Sequence, residues 1–137
     1  MSYLLDTGFW FALLNKNEQM HEQVFMAAQK VSGPIITTTV VLTEVAYLVR
    51  RDLGSVALAA YLESLTVPDY LLVEPTATDY QRAANIVRKY ADADIDFVDA
   101  ILVAIAERLE IKQVLTLDQR HFRLFRPQHC DSFDILP

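Results

Sequence analysis

Hydrophobic positions along the chain follow two rhythms. Short runs at Tyr3-Leu4-Leu5, Ile35-Ile36-Thr37, 70–73 and 112–117 are rich in aliphatic and β-branched residues and bounded by polar, Gly or Pro residues, as strands are. Between them, apolar residues recur at spacings of three and four, the rhythm of amphipathic helices. Residues 9–14 and 21–31 predict two helices, the second stopped by Gly33-Pro34. Over 39–53 the apolar positions are Val41, Leu42, Val45, Leu48 and Val49, and Gly54 ends the helix. A helix over 56–65 stops before Pro68. Thr76, with Asp79 three residues on, caps the next, whose expected buried stripe is Tyr80, Ala83, Ala84, Val87, Tyr90 and Ala91. Residues 96–109 predict a further helix and 133–135 a small edge strand. Strands separated by helices predict an α/β fold: a single domain over residues 1–137, with a central parallel sheet of four to five strands and helices on both faces. Strand order does not follow from the pattern.

Composition narrows the function classes. The chain has 137 residues, 53% hydrophobic and 22% charged, enough apolar material for a real core and unlike a disordered segment. Its formal charge of −6 argues against coating nucleic acid by bulk electrostatics, which takes a basic surface, but leaves room for an enzyme acting on nucleic acid through a local site. The one cysteine, Cys130, excludes an intramolecular disulfide and a multi-thiolate metal site. Apolar runs fall well short of the ~20 residues of a membrane span, and no basic segment precedes the N-terminal apolar run. The expectation is a soluble cytoplasmic protein without a membrane partner.

Four carboxylates sit poorly with a role as solvated surface charge. Asp6 ends the first strand and Asp118 the fourth, and the C-terminal ends of parallel strands share the edge where ligands bind. Glu44 has Val40, Val41, Tyr47 and Leu48 one turn away on its helix, so it faces the core side with no cation within a turn. Asp99 has Ile95, Leu102 and Val103 at the same offsets, with Asp96 one turn back. Near a helix N-terminus, Asp99 is favoured as an anion, and for the Asp96/Asp99 pair a capping role and a functional one both fit. Either strand-end aspartate taken alone reads as a turn former. Together the four would repel one another, and a divalent cation resolves the conflict. Carboxylate-only ligation selects Mg²⁺ or Mn²⁺ over zinc, because His21, His121 and His129 are scattered and read as surface or filler. A metal held this way suits phosphodiester hydrolysis. Thr7 and Thr116 stand beside the strand-end aspartates, where either hydroxyl can orient a carboxylate. After Asp118, Arg120, Arg123 and Arg126 interleave with Phe122 and Phe125; the phenylalanines read as core, while Arg120 and Arg123 suit nucleic-acid phosphates as well as plain solvation.

Leu4-Leu5-Asp6-Thr7-Gly8-Phe9-Trp10, Thr43-Glu44-Val45, Asp99-Ala100-Ile101-Leu102-Val103-Ala104 and Leu115-Thr116-Leu117-Asp118 stand in the order and spacing of the PIN-domain ribonuclease family, and the chain resembles its VapC-type toxins. The resemblance implies a Mg²⁺- or Mn²⁺-dependent endoribonuclease, the toxin of a type II toxin–antitoxin pair. It places the family's acids on Asp6, Glu44, Asp99 and Asp118, with Asp96 as an extra ligand and Thr116 as the hydroxyl residue two before the last aspartate. Gly8, where many relatives carry Ser, is a mild departure. The resemblance further implies an RNA substrate, a homodimer, and an antitoxin protein whose tail enters the acidic groove. The alternative is a catalytically silent PIN-like module that binds RNA or protein.

Overall fold

The structure, a computed structural model, describes residues 1–137. Five short parallel strands, β1 (Tyr3–Leu5), β2 (Ile35–Thr37), β3 (Leu71–Leu72), β4 (Gln113–Leu115) and β5 (Asp134–Leu136), form one sheet in the order β3-β2-β1-β4-β5. Successive side chains of a strand point to opposite faces, and here each face has its own cover. Tyr3, Leu5 and Leu115 pack against Phe9, Ala12, Val24 and Ala27 of α1 (Thr7–Leu14) and α2 (His21–Gln29). Leu4, Ile36 and Val114 face a larger core shared with α3 (Thr39–Leu53), α5 (Ala77–Lys89) and α6 (Phe97–Leu109). Helix α4 (Ser55–Ser64) lies on α3, where the Tyr61 hydroxyl donates to the Leu42 carbonyl at 3.1 Å. The parallel sheet with helices on both faces is the architecture predicted from the alternation.

Helix α6 is the centre of the larger core: residues 98–106 are all buried, as befits a helix that is apolar on every side. That places Asp99, in its first turn, under the sheet edge. At the α3–α4 junction Gly54 has a φ of 92°, a backbone conformation that side-chain-bearing residues rarely adopt, which is why the chain can turn there without a loop.

The observed elements differ from the predicted ones in three informative places. The third strand is only Leu71–Leu72, both residues exposed on the sheet edge. Helix α5 keeps its expected Thr76/Asp79 capping box, but its buried stripe is Asp79, Ala83 and Ile86, while Tyr80 and Val87 face solvent. The rotation follows from pairing: buried Asp79 accepts hydrogen bonds from the Arg108 guanidinium at 2.8–3.1 Å, and Arg82 meets Glu107 at 2.7 Å. Finally, the segment after Asp118 forms a short helix, α7 (Gln119–Leu124), with Phe122 and Phe125 fully buried, so the aromatics are core, as read.

The Asp79–Arg108 pair yields a direct test. Arg108→Ala leaves a buried carboxylate without its cation, and urea denaturation at pH 7 should read a loss of about 1–3 kcal/mol. An unchanged midpoint would mean that the capping box alone satisfies Asp79.

Candidate active site at the carboxyl edge of the sheet

The central pair of strands builds the site. Leu5 is in register with Leu115, and the Asp6 N–H continues the ladder to the Leu115 carbonyl at 3.0 Å. The chain then leaves each strand for a helix, and an aspartate makes the switch both times. Asp6 is the N-cap of α1: it is extended, 6% exposed, and its Oδ1 accepts from the Thr7 N–H at 2.8 Å. Asp118 is the N-cap of α7, with Oδ1 accepting from the His121 N–H at 3.1 Å. Between them stands Thr116, completely buried. Its hydroxyl donates to Asp6 Oδ2 at 2.6 Å and accepts from the Asp118 N–H at 2.9 Å, so one side chain ties both strand-end aspartates together. Thr7 works differently from the sequence expectation. Its backbone holds Asp6, while its own hydroxyl is buried without a partner.

Asp99 approaches from α6. Asp96 is the helix N-cap, its carboxylate accepting from the Asp99 N–H at 2.9 Å, which leaves the Asp99 carboxyl free to turn inward. Burial lifts that carboxyl from 3.8 to about 8, reinforced by the charges of Asp96, Asp6 and Asp118 against the opposing pull of His121. The helix N-terminus, expected to favour an anion here, is outweighed. Burial likewise raises Asp6 to about 6; the Thr116 and Thr7 hydrogen bonds resist, and the charges of Glu44 and Asp118 add to the rise. Glu44 is half-buried on α3 between Val41 and Val45, close enough for its charge to act on Asp6. The predicted carboxylates thus share one electrostatic neighbourhood, with Asp96 exposed at its rim. Arg120 and Arg123 are exposed on α7, the helix that Asp118 begins, and neither is paired with a carboxylate.

His121 corrects the sequence reading. It is not filler: its Nδ1 lies 2.8 Å from Asp118 Oδ2 and 3.4 Å from Asp99 Oδ2, and its Nε2 is 3.0 Å from the Ala93 carbonyl. Burial works against charge on this imidazole, but the hydrogen bond and charge of Asp118, the Ala93 carbonyl and Asp99 together raise its pKa. Asp99, Asp118 and His121 each offer a donor atom within 4.8 Å of the others. The one signal in the sequence was the three-residue offset from Asp118, which has meaning only once residues 119–124 are helical.

The donors fit a hard divalent cation. Burial first, and the like charge of the neighbouring carboxylates second, push protons onto Asp6 and Asp99, an environment that a bound cation relieves. The partnerless Thr7 hydroxyl beside Asp6 is a buried polar atom, of the kind that an ordered water or ligand normally satisfies. Gly8 imposes nothing on this arrangement, since a Cβ there would meet only Leu117 Cβ at 3.7 Å.

The chain matches the PIN domain over residues 3–126. Ribonuclease VapC26 of Mycobacterium tuberculosis is 31% identical over 134 residues, covering 98% of this chain and 99% of the relative. Among solved structures, VapC20 of Mycobacterium tuberculosis, a sarcin–ricin-loop-cleaving toxin, superposes with a TM-score of 0.76 at 23% identity, over 82% of this chain and 86% of the other. VapBC2 of Rickettsia felis, solved bound to a DNA fragment from its promoter, gives a TM-score of 0.71 at 15% identity over the whole of both chains. No helix is long and apolar enough to cross a membrane. Fold, acidic edge and relatives agree: the chain belongs to the PIN-domain family and is of the VapC type.

Proposed function

We propose that this protein is a metal-dependent endoribonuclease of the cytoplasm, the toxin of a toxin–antitoxin pair, with RNA as substrate and an antitoxin protein as partner. The observation that carries the proposal is the convergence of buried Asp6 and Asp99 with half-buried Asp118, where burial and like charge raise the first two pKa values. The kinship with a ribonuclease supports it from the other side. A silent binding module has no use for that electrostatic cost, which buried unpaired charge makes large.

In this reading Asp6, Asp99 and Asp118 hold Mg²⁺ or Mn²⁺, with Glu44 completing the set and Asp96 serving first as the cap of α6. Once bound, the cation supplies Lewis acidity towards water and charge stabilisation at the phosphorus centre. The protein's own contribution is preorganisation. Thr116 fixes Asp6 through Oδ2 and Asp118 through its N–H, and Thr7 fixes Asp6 through Oδ1, so the carboxylates need not reorient when substrate arrives. Arg120 and Arg123, exposed and uncommitted, supply cationic contacts for the phosphates flanking the cut. Homodimerisation, common among related toxins, belongs to the same proposal.

Purified protein should cleave RNA with Mg²⁺ or Mn²⁺ and stop in EDTA. Thr116→Val keeps the β-branched shape but removes the hydroxyl, and cleavage should fall about 10- to 100-fold, the equivalent of the two hydrogen bonds that hydroxyl makes, with Thr116→Ser retaining most activity. Cleavage that persists unchanged in EDTA, or in the Val variant, would remove the basis for this reading.

A further inference from the structure

His121 has no place in the carboxylate set, yet its ring is held as a metal ligand's ring is held. The Ala93 carbonyl can only accept, so the Nε2 atom 3.0 Å away carries the hydrogen. A carbonyl in that position is the usual outer partner of a metal-bound histidine, fixing both tautomer and ring orientation. The opposite atom, Nδ1, is thereby aimed at Asp118 Oδ2 and Asp99 Oδ2, at 2.8 and 3.4 Å. Donors about 2.1 Å from one ion and at right angles to each other lie about 3 Å apart, and the two observed separations bracket that value.

We infer that His121 Nδ1 is a ligand of the divalent cation, sharing it with Asp99 and Asp118, and that it turns the site towards first-row transition ions such as Mn²⁺ over Mg²⁺. The inference rests on the metal-dependent reading above and adds to it a nitrogen donor and an ion preference. Magnesium takes oxygen donors and keeps its waters, whereas the affinity of a nitrogen-containing site rises through Mn²⁺ to Co²⁺. Only the local fold makes this donor available: α7 is capped by Asp118 itself, which places residue 121 one turn further on, over the same carboxylates. The competing role for the ring is a charged partner of Asp99 and Asp118 that occupies the cation's position rather than binding the cation.

The test uses the metals alone, with no RNA. The full chain, freed of metal, is titrated with Mg²⁺, Mn²⁺ and Co²⁺ by calorimetry, and the Mn²⁺ form is probed by electron spin-echo envelope modulation for coupling to an imidazole nitrogen. Wild-type protein should bind Mn²⁺ and Co²⁺ more tightly than Mg²⁺ and show the nitrogen coupling. His121→Gln should weaken Mn²⁺ and Co²⁺ binding about 10-fold or more, change Mg²⁺ binding much less, and lose the coupling. The spectrum of the unaltered protein keeps the test decisive if the Gln variant folds poorly. If wild-type protein binds Mn²⁺ without nitrogen coupling, His121 is not a ligand and the carboxylate-only site stands. Tighter binding after His121→Gln identifies the ring as a resident counter-cation and likewise overturns the inference. If no metal binds to wild-type protein, the metal-dependent reading itself fails.

Discussion

Asp99→Asn is expected to make the metal-free protein more stable while nearly abolishing cleavage. The carboxyl is buried at the head of the helix with the longest buried run in the fold, and Asp96, Asp6 and Asp118 surround it with like charge. Asparagine keeps the shape and removes the charge, so in EDTA at pH 8.5 urea denaturation should register a gain of about 2–4 kcal/mol, the scale of an uncompensated buried charge. The same change takes away one of the carboxylates proposed to hold the cation, and RNA cleavage should drop by at least about 10²–10³-fold, as when one preorganised electrostatic partner is lost. A gain in stability together with a loss of activity is what separates a functional carboxylate from a structural one. A variant that loses both would mark Asp99 as part of the scaffold.

The second large effect is the pH dependence of the metal-free fold. Asp6 and Asp99 titrate near 3.8 when unfolded, but at about 6 and about 8 in the folded chain. Between those values the folded state binds more protons than the unfolded one, so stability falls as pH rises. Both aspartates are at their least destabilising below about pH 4 and exert their full cost above about pH 8. His121, raised above its ordinary 6.5, acts in the same direction: its contribution is complete below 6.5 and lost as pH climbs through the raised value. Asp79 is lowered: although burial pushes it up, the Arg108 and Thr76 contacts prevail. Its contribution is present above 3.8 and disappears only in stronger acid, outside the window. In EDTA, denaturation midpoints should therefore decline from pH 5 to pH 8, with a summed effect on the order of several kcal/mol. Saturating Mn²⁺ should flatten the decline, because a cation that binds only the folded state stabilises most where the carboxylates are ionised. Midpoints that rise over this range without metal would contradict the site's electrostatics.

How much of this was legible in the sequence varies element by element. The β1–Asp6 and β4–Asp118 steps were legible because an apolar strand followed by a capping residue is a local pattern, and parallel strands place such steps on one edge whatever their order. The Thr76/Asp79 capping box and the Gly54 stop were local too. The strand order β3-β2-β1-β4-β5 was not, since it depends on which helices cover which face. The buried side of α5 was misjudged for a related reason: hydropathy alone favours Tyr80 and Val87, while the fold buries Asp79, whose charge is met by an arginine 29 residues away. The same kind of partnership hid His121. Its role depends on a six-residue helix too short to announce itself, and on the carbonyl of Ala93, a backbone group of a distant turn.

The claim on which the rest depends is that the carboxylates that follow β1 and β4, with that of the first turn of α6, hold a divalent cation. Anomalous scattering from crystals grown with Mn²⁺ measures this without reference to activity. A strong peak bounded by Asp6, Asp99 and Asp118 is the expected result. Crystals of cleavage-competent protein, saturated with Mn²⁺ and lacking a peak among those three side chains, would contradict it.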